Sequence, residues 1–169
     1  MTGISKKSIP LYLLSMLFVA CLTSCGSDLP SEVQNEYDSL PDGIDFGLHI
    51  RPILSDRCWS CHGPDEGARE AELQLHTEEG AFAQLRDGKS HAFIKGDISE
   101  SVAVRRIVSD DPEYVMPPAQ SIYSLTAREK ALIAKWVEQG GEWKEHWSFN
   151  PPQRVSLPEV AHQGWAQYN

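Results

Sequence analysis

The chain has 169 residues, and its 15 Lys and Arg against 24 Asp and Glu give a formal net charge of −9. That acidity excludes a nucleic-acid binder, whose footprint is a basic face. It carries only four cysteines, with just Cys58 and Cys61 beyond residue 25, which excludes a disulfide scaffold.

In chain order, Lys6 and Lys7 precede an uncharged apolar run over residues 9–22. A basic start and a short apolar core predict a secretory signal peptide, since the run is too short for a comfortable membrane span. Leu22, Thr23, Ser24, Cys25 and Gly26 resemble the bacterial lipobox. That resemblance implies that residues 1–24 are removed and that Cys25 carries lipid as the first mature residue. Without Lys6 and Lys7, the remaining 145 residues carry a formal charge of −11, and they suffice for one domain. Residues 25–43 are polar, acidic and broken by Pro30 and Pro41, and are expected to form a flexible tether, with an ordered N-terminal arm packed on the body as the alternative.

From Asp45, a predicted N-cap, the apolar residues Phe46, Leu48, Ile50, Ile53 and Leu54 recur at near-helical spacing. Pro52 lies inside this run and must either delay the helix or kink it. Residues 63–67 (GPDEG) read as a loop. Leu73 and Leu75 suggest an extended piece leading into a short helix with Ala81, Phe82 and Leu85, closed by residues 87–89. Ser99 and Glu100 are expected to cap a segment whose apolar members are Val102, Val104, Ile107 and Val108. The loop of residues 109–118 is rich in turns and prolines. Thr126 and Glu129 form a capping box that opens the clearest helix, with Ala131, Leu132, Lys135, Trp136 and Gln139 at three- and four-residue steps. Ile133 and Val137 widen its apolar stripe, and Gly140 and Gly141 stop it.

No strand alternation appears, so the predicted fold is all-α: three or four short helices joined by long loops. So small a body needs more in its middle than its apolar content supplies. Beyond Gly141, Trp143, Trp147 and Trp165 imply either a fold-back onto the body or an interface.

Cys58, Trp59, Ser60, Cys61 and His62 form a C-x-x-C-H sequence, the attachment signature of c-type haem. Two thiols add across two vinyl groups on one edge of the porphyrin, and the adjacent His falls beneath the iron as its proximal ligand. One covalent haem c would then supply the missing centre of the fold. A thioredoxin-like pair lacks its βαβ setting, and a structural zinc site lacks a second pair of cysteines. Met116 is the only methionine beyond the signal segment, 54 positions after His62, and it stands before Pro117 and Pro118. Proline stiffens such a loop and favours an extended Met116, so this is the expected distal ligand. His49, His76, His91, His146 and His162 are the alternatives for a bis-histidine haem, and an open five-coordinate iron is a further one. Arg51, Arg57, Arg105 and Arg106 are candidates to pair with haem propionates, with none singled out.

Several stretches resemble the planctomycete-type cytochrome c domain. These are residues 46–63 around the motif, Gly96 and Asp97 with residues 99–107, residues 110–118, residues 125–129 and residues 136–147. The resemblance runs over about residues 44–152. It implies a cytochrome c fold over residues 44–147, with Cys58 and Cys61 as thioether sites and His62 and Met116 as axial ligands. In that family the domain usually opens a longer secreted or lipid-anchored protein. Residues 148–169 are accordingly expected to be a linker towards C-terminal domains absent from this sequence.

Electron transfer outside the cytoplasm is the expected function, at the periplasmic or surface face of the cell envelope. Its partners would be redox proteins with basic docking surfaces, and the membrane through Cys25. The alternatives are a peroxidase-like or gas-sensing haem, a non-haem binding lipoprotein, and the electron outlet of a larger enzyme.

Overall fold

A computed structural model describes residues 29–144. Cys25, His146, Trp147, His162, Trp165 and the expected linker of residues 148–169 lie outside the described residues, as does the expected signal segment. The architecture is helical, and among the described residues β structure is limited to the isolated bridges Gln84–His91, His91–Ser101 and Ile94–Asp97.

The first helix, α1 (Ser31–Ser39), falls where a tether was expected. Leu29, Val33, Tyr37 and Leu40 recur on one helical face, and the buried Val33 and Leu40 pack with Ala131. At the polar edge of that contact Tyr37 hydrogen-bonds Glu138, and Arg128 pairs with Glu36 at 3.3 Å. The flexible-tether expectation is therefore corrected over residues 31–40. Burying a side chain such as Val33 contributes on the order of 1.5–3 kcal/mol towards holding the helix against the body. The folded body consequently begins before residue 44.

Asp45 caps the next segment as expected, accepting the Leu48 N–H at 2.9 Å. The chain then makes a π turn (Phe46–Ile50), and α2 (Arg51–Arg57) starts with Pro52 in its first turn. Proline is tolerated there because that N–H has no helical partner in any case. The late start is thus the alternative the chain takes. After a break at Cys58, α3 (Trp59–His62) is a single turn.

Thr77 caps α4 (Glu78–Phe82) through the Gly80 N–H. This helix ends before Leu85, whose N–H goes instead to Ser90 O at 2.8 Å across a turn. The Asp87 carboxylate organises that turn by accepting the Lys89 and Ser90 N–H groups.

Helix α5 (Val102–Ile107) begins after Ser101, two residues later than the Ser99–Glu100 cap expected. The Asp97 carboxylate takes the Glu100 N–H and the Ser99 hydroxyl, using both in a turn. Ser101 is fully buried. Its hydroxyl donates to Asp97 O at 2.6 Å and accepts the Ile94 N–H at 2.8 Å, which ties α5 to the preceding loop.

Helix α6 (Ala127–Glu138) opens with the capping box of Thr126 and Glu129 and buries Ala131, Ile133, Ala134, Trp136 and Val137. Gly140 and Gly141, both at positive φ, turn the chain away at its end. Trp143 then folds back, its ring 4.0 Å from Phe46 and 6.3 Å from Trp136. Phe82 and Phe93 complete this aromatic centre against Trp136. For Trp143, the fold-back alternative is the one observed.

Candidate haem site

The motif takes its geometry from one turn of helix. Cys58 N–H donates to Leu54 O, while Cys61 N–H and His62 N–H both return to Cys58 O, at 3.1 and 2.8 Å. Cys58, Cys61 and His62 stand at i, i+3 and i+4, which places them on one helical face. Gly63 comes next because nothing larger fits: a Cβ there would lie 2.2 Å from Trp59 O.

The chain then doubles back over the motif. Glu70 N–H donates to Cys61 O and Leu75 N–H to His62 O, each at 2.8 Å. The Trp59 indole N–H reaches Leu75 O at 2.9 Å, and Arg51 stacks over the Trp59 ring at 5.3 Å. Trp59 is therefore a clamp for the returning loop. Nothing in the spacing of the motif indicates this, because the partner is a backbone carbonyl sixteen residues away.

The same loop orients His62. Its Nδ1 lies 3.2 Å from Glu70 O. A carbonyl only accepts, so Nδ1 carries the hydrogen and Nε2 keeps its lone pair for a metal. Burial pushes the His62 pKa below its ordinary value, the hydrogen bond to Glu70 opposes that, and the charge of Arg106 adds to the lowering. The neutral imidazole that results is the form that binds iron.

Cys58 and Cys61 are unpaired thiols. Burial pushes the Cys58 thiol up to about 12, while Cys61 is exposed. A reactive redox cysteine is instead marked by a pKa lowered towards the thiolate. Among the described residues no group of three His, Cys, Asp or Glu side chains is gathered to hold a metal ion. The donor set therefore fits covalent attachment through neutral thiols plus one imidazole.

The loop after α5 contributes the second candidate ligand. Arg106 O accepts the N–H of both Ser109 and Met116, at 3.3 and 3.2 Å, and Asp111 O accepts those of Tyr114 and Val115. The Met116–Pro117 peptide is cis. Met116 is half-buried.

Cys58, Cys61, His62 and Met116 all line one cavity of about 470 Å³. Its walls include the apolar Leu54, Leu75, Ala92, Phe93 and Ile133. A volume of that size and an apolar lining suit a cofactor.

The alternative ligands fare differently. His49, His76 and His91 are not among the lining residues. His49 Nδ1 accepts the Asp45 N–H, and the buried His76 Nδ1 has no hydrogen-bond partner among the described residues. Of the arginines, Arg51 is held on Trp59, and Arg57 lines the cavity but pairs with Glu129 at 3.2 Å. Arg105 and Arg106 both line it, and Arg105 makes no ion pair among the described residues.

Residues 58–120 match the planctomycete cytochrome C family. The cytochrome C match begins at the first cysteine of the motif and runs past Met116, Pro117 and Pro118, so it contains both halves of the site. A match to a cytochrome c family model suggests a haem protein. Comparison with curated proteins and with solved structures gives no match. No helix among the described residues is long and apolar enough to cross a membrane.

Proposed function

We propose that this chain is a c-type cytochrome that carries single electrons outside the cytoplasm. In this reading residues 44–147, together with α1, form the haem domain, and a lipid on Cys25 holds it at the membrane. The observation that carries it is the gathering of both thiols, an oriented imidazole and a thioether around one apolar cavity. When bound, haem supplies an iron that exchanges one electron between its ferric and ferrous forms.

The residues of the chain do the rest. Cys58 and Cys61 tether the group covalently, so that it stays in a small domain. Glu70 O fixes the His62 ring, so that its Nε2 would be free to hold the iron. Met116 would be the chain's second candidate ligand to that iron, and a His/Met ligand pair would raise the reduction potential. Leu54, Leu75 and Phe93 exclude water from the faces of the cavity. No substrate needs to reach the metal, and specificity lies in brief encounters with partners. The acidic surface favours basic partners, at rates that fall as salt rises. Residues 148–169 lead towards further domains in this reading.

Expression with a c-haem maturation system followed by intact-mass measurement tests the proposal. One haem mass should be added per chain, surviving denaturation. Changing both Cys58 and Cys61 to Ala should abolish it. A protein that emerges at the bare polypeptide mass despite maturation would contradict the proposal.

A further inference from the structure

We propose that Arg106 is a positioning residue for the Met116 loop, its carbonyl and its guanidinium together holding that loop at the haem cavity. The inference rests on the assignment of Met116 as distal ligand and deepens it. Arg106 stands on the last turn of α5, whose Val104 and Ile107 are buried in the core. Its carbonyl accepts the N–H groups of Ser109 and Met116, so both ends of the loop are pinned at one atom. Its Nη1 donates to Tyr114 O at 3.2 Å, and its guanidinium lies 4.5 Å from the centre of the Tyr114 ring. Among the described residues, the other hydrogen bonds of residues 109–116 close within the loop, onto Asp111 and Ser109. Arg106 is thus the loop's hydrogen-bonded link to the helical body.

That link bears on function because a thioether bonds iron weakly. How firmly its loop is held decides whether the sulfur keeps its place or yields to another ligand.

The test compares haem-loaded full-length wild type with Arg106→Leu and Arg106→Lys, by hydrogen exchange over residues 109–118 and by absorption. A hydrogen bond from a charged donor has a strength that predicts exchange at least about tenfold faster in Arg106→Leu. The iron–sulfur charge-transfer band should weaken and carbon monoxide should bind. The amides of α6 should be unchanged, and Arg106→Lys should restore part of each property. Exchange and band identical to wild type in Arg106→Leu would overturn the proposal. So would a shift in reduction potential alone, which would make Arg106 a partner of the haem propionates. If wild type itself shows no band dependent on Met116, the ligand assignment fails; accelerated loop exchange in Arg106→Leu would still uphold the positioning role, and unchanged exchange would overturn it.

Discussion

Gly63 marks the point where the chain leaves the motif turn, and it shows how tightly a single residue governs the site. The carbonyl of Trp59 occupies the space a side chain would need, and that carbonyl belongs to backbone that cannot swing aside. Gly63→Ala should therefore destabilise the protein by about 1–3 kcal/mol, the usual cost of forcing a carbon into packed structure. It should also lower the yield of haem-loaded protein, because the displaced turn carries Cys61 and His62. Thermal melting and the ratio of haem to protein absorbance check this, and unchanged values would show that the turn relaxes freely. The shared helical face of Cys58, Cys61 and His62 was legible in the sequence, since it follows from their spacing. The clamp of Trp59 on Leu75 O and the grip of Arg106 on Tyr114 O were not, because backbone carbonyls have no sequence signature.

Among the elements, α6 is the one that sequence described best and the one on which the others lean. Its start depends on a reciprocal pair: Thr126 Oγ1 accepts the Glu129 N–H at 3.2 Å, and the Glu129 carboxylate accepts the Thr126 N–H at 2.7 Å. Glu129 also reaches Arg57, tying α6 to the helix that leads into Cys58. Thr126→Ala should cost about 1 kcal/mol, which lowers the melting temperature by roughly 4 °C in a domain of this size. Thr126→Ser should melt like wild type; equal melting of all three would mean that burial alone sets the helix start. Where sequence reading failed, local composition had masked a pattern. The face formed by Val33, Tyr37 and Leu40 sits among acidic residues and beside Pro30, so the segment resembled a tether until Ala131 supplied the missing surface. Ser99 and Glu100 misled in the opposite way, since both satisfy a turn around Asp97 instead of capping α5.

For the whole molecule, folding is linked to the ionisation of several carboxylates. Asp45 is held below its ordinary 3.8 chiefly by the Leu48 N–H, and Asp97 chiefly by the Glu100 N–H. Hydrogen bonds from Ser90 and Lys89 bring Asp87 down to about 2. Burial pushes Glu129 upward, but the Thr126 hydrogen bonds and Arg57 outweigh it and hold the group below 4.5. Each folded-state pKa lies below the unfolded one, so the contribution is complete above the unfolded value and is lost as pH falls through the folded one. The carboxylate share of stability should accordingly be steady near neutrality and fall from about pH 4.5 downward, adding to the earlier loss that His62, depressed by burial, contributes as pH falls past its ordinary 6.5. A melting temperature that stays constant down to pH 2 would mean that these carboxylates contribute nothing to stability.

The all-α class was readable from the absence of strand alternation. The cavity was not, walled as it is by Leu54, Leu75, Phe93 and Ile133 from four separate segments. No local pattern announces such a convergence.

Whether this cavity holds a haem ligated by His62 and Met116 is decided most directly by the absorption spectrum of the haem-loaded protein. Low-spin bands are expected in both oxidation states, with an iron–sulfur charge-transfer feature in the oxidised protein that Met116→Ala abolishes. High-spin bands in the wild type, or a spectrum indifferent to Met116→Ala, would refute that ligation.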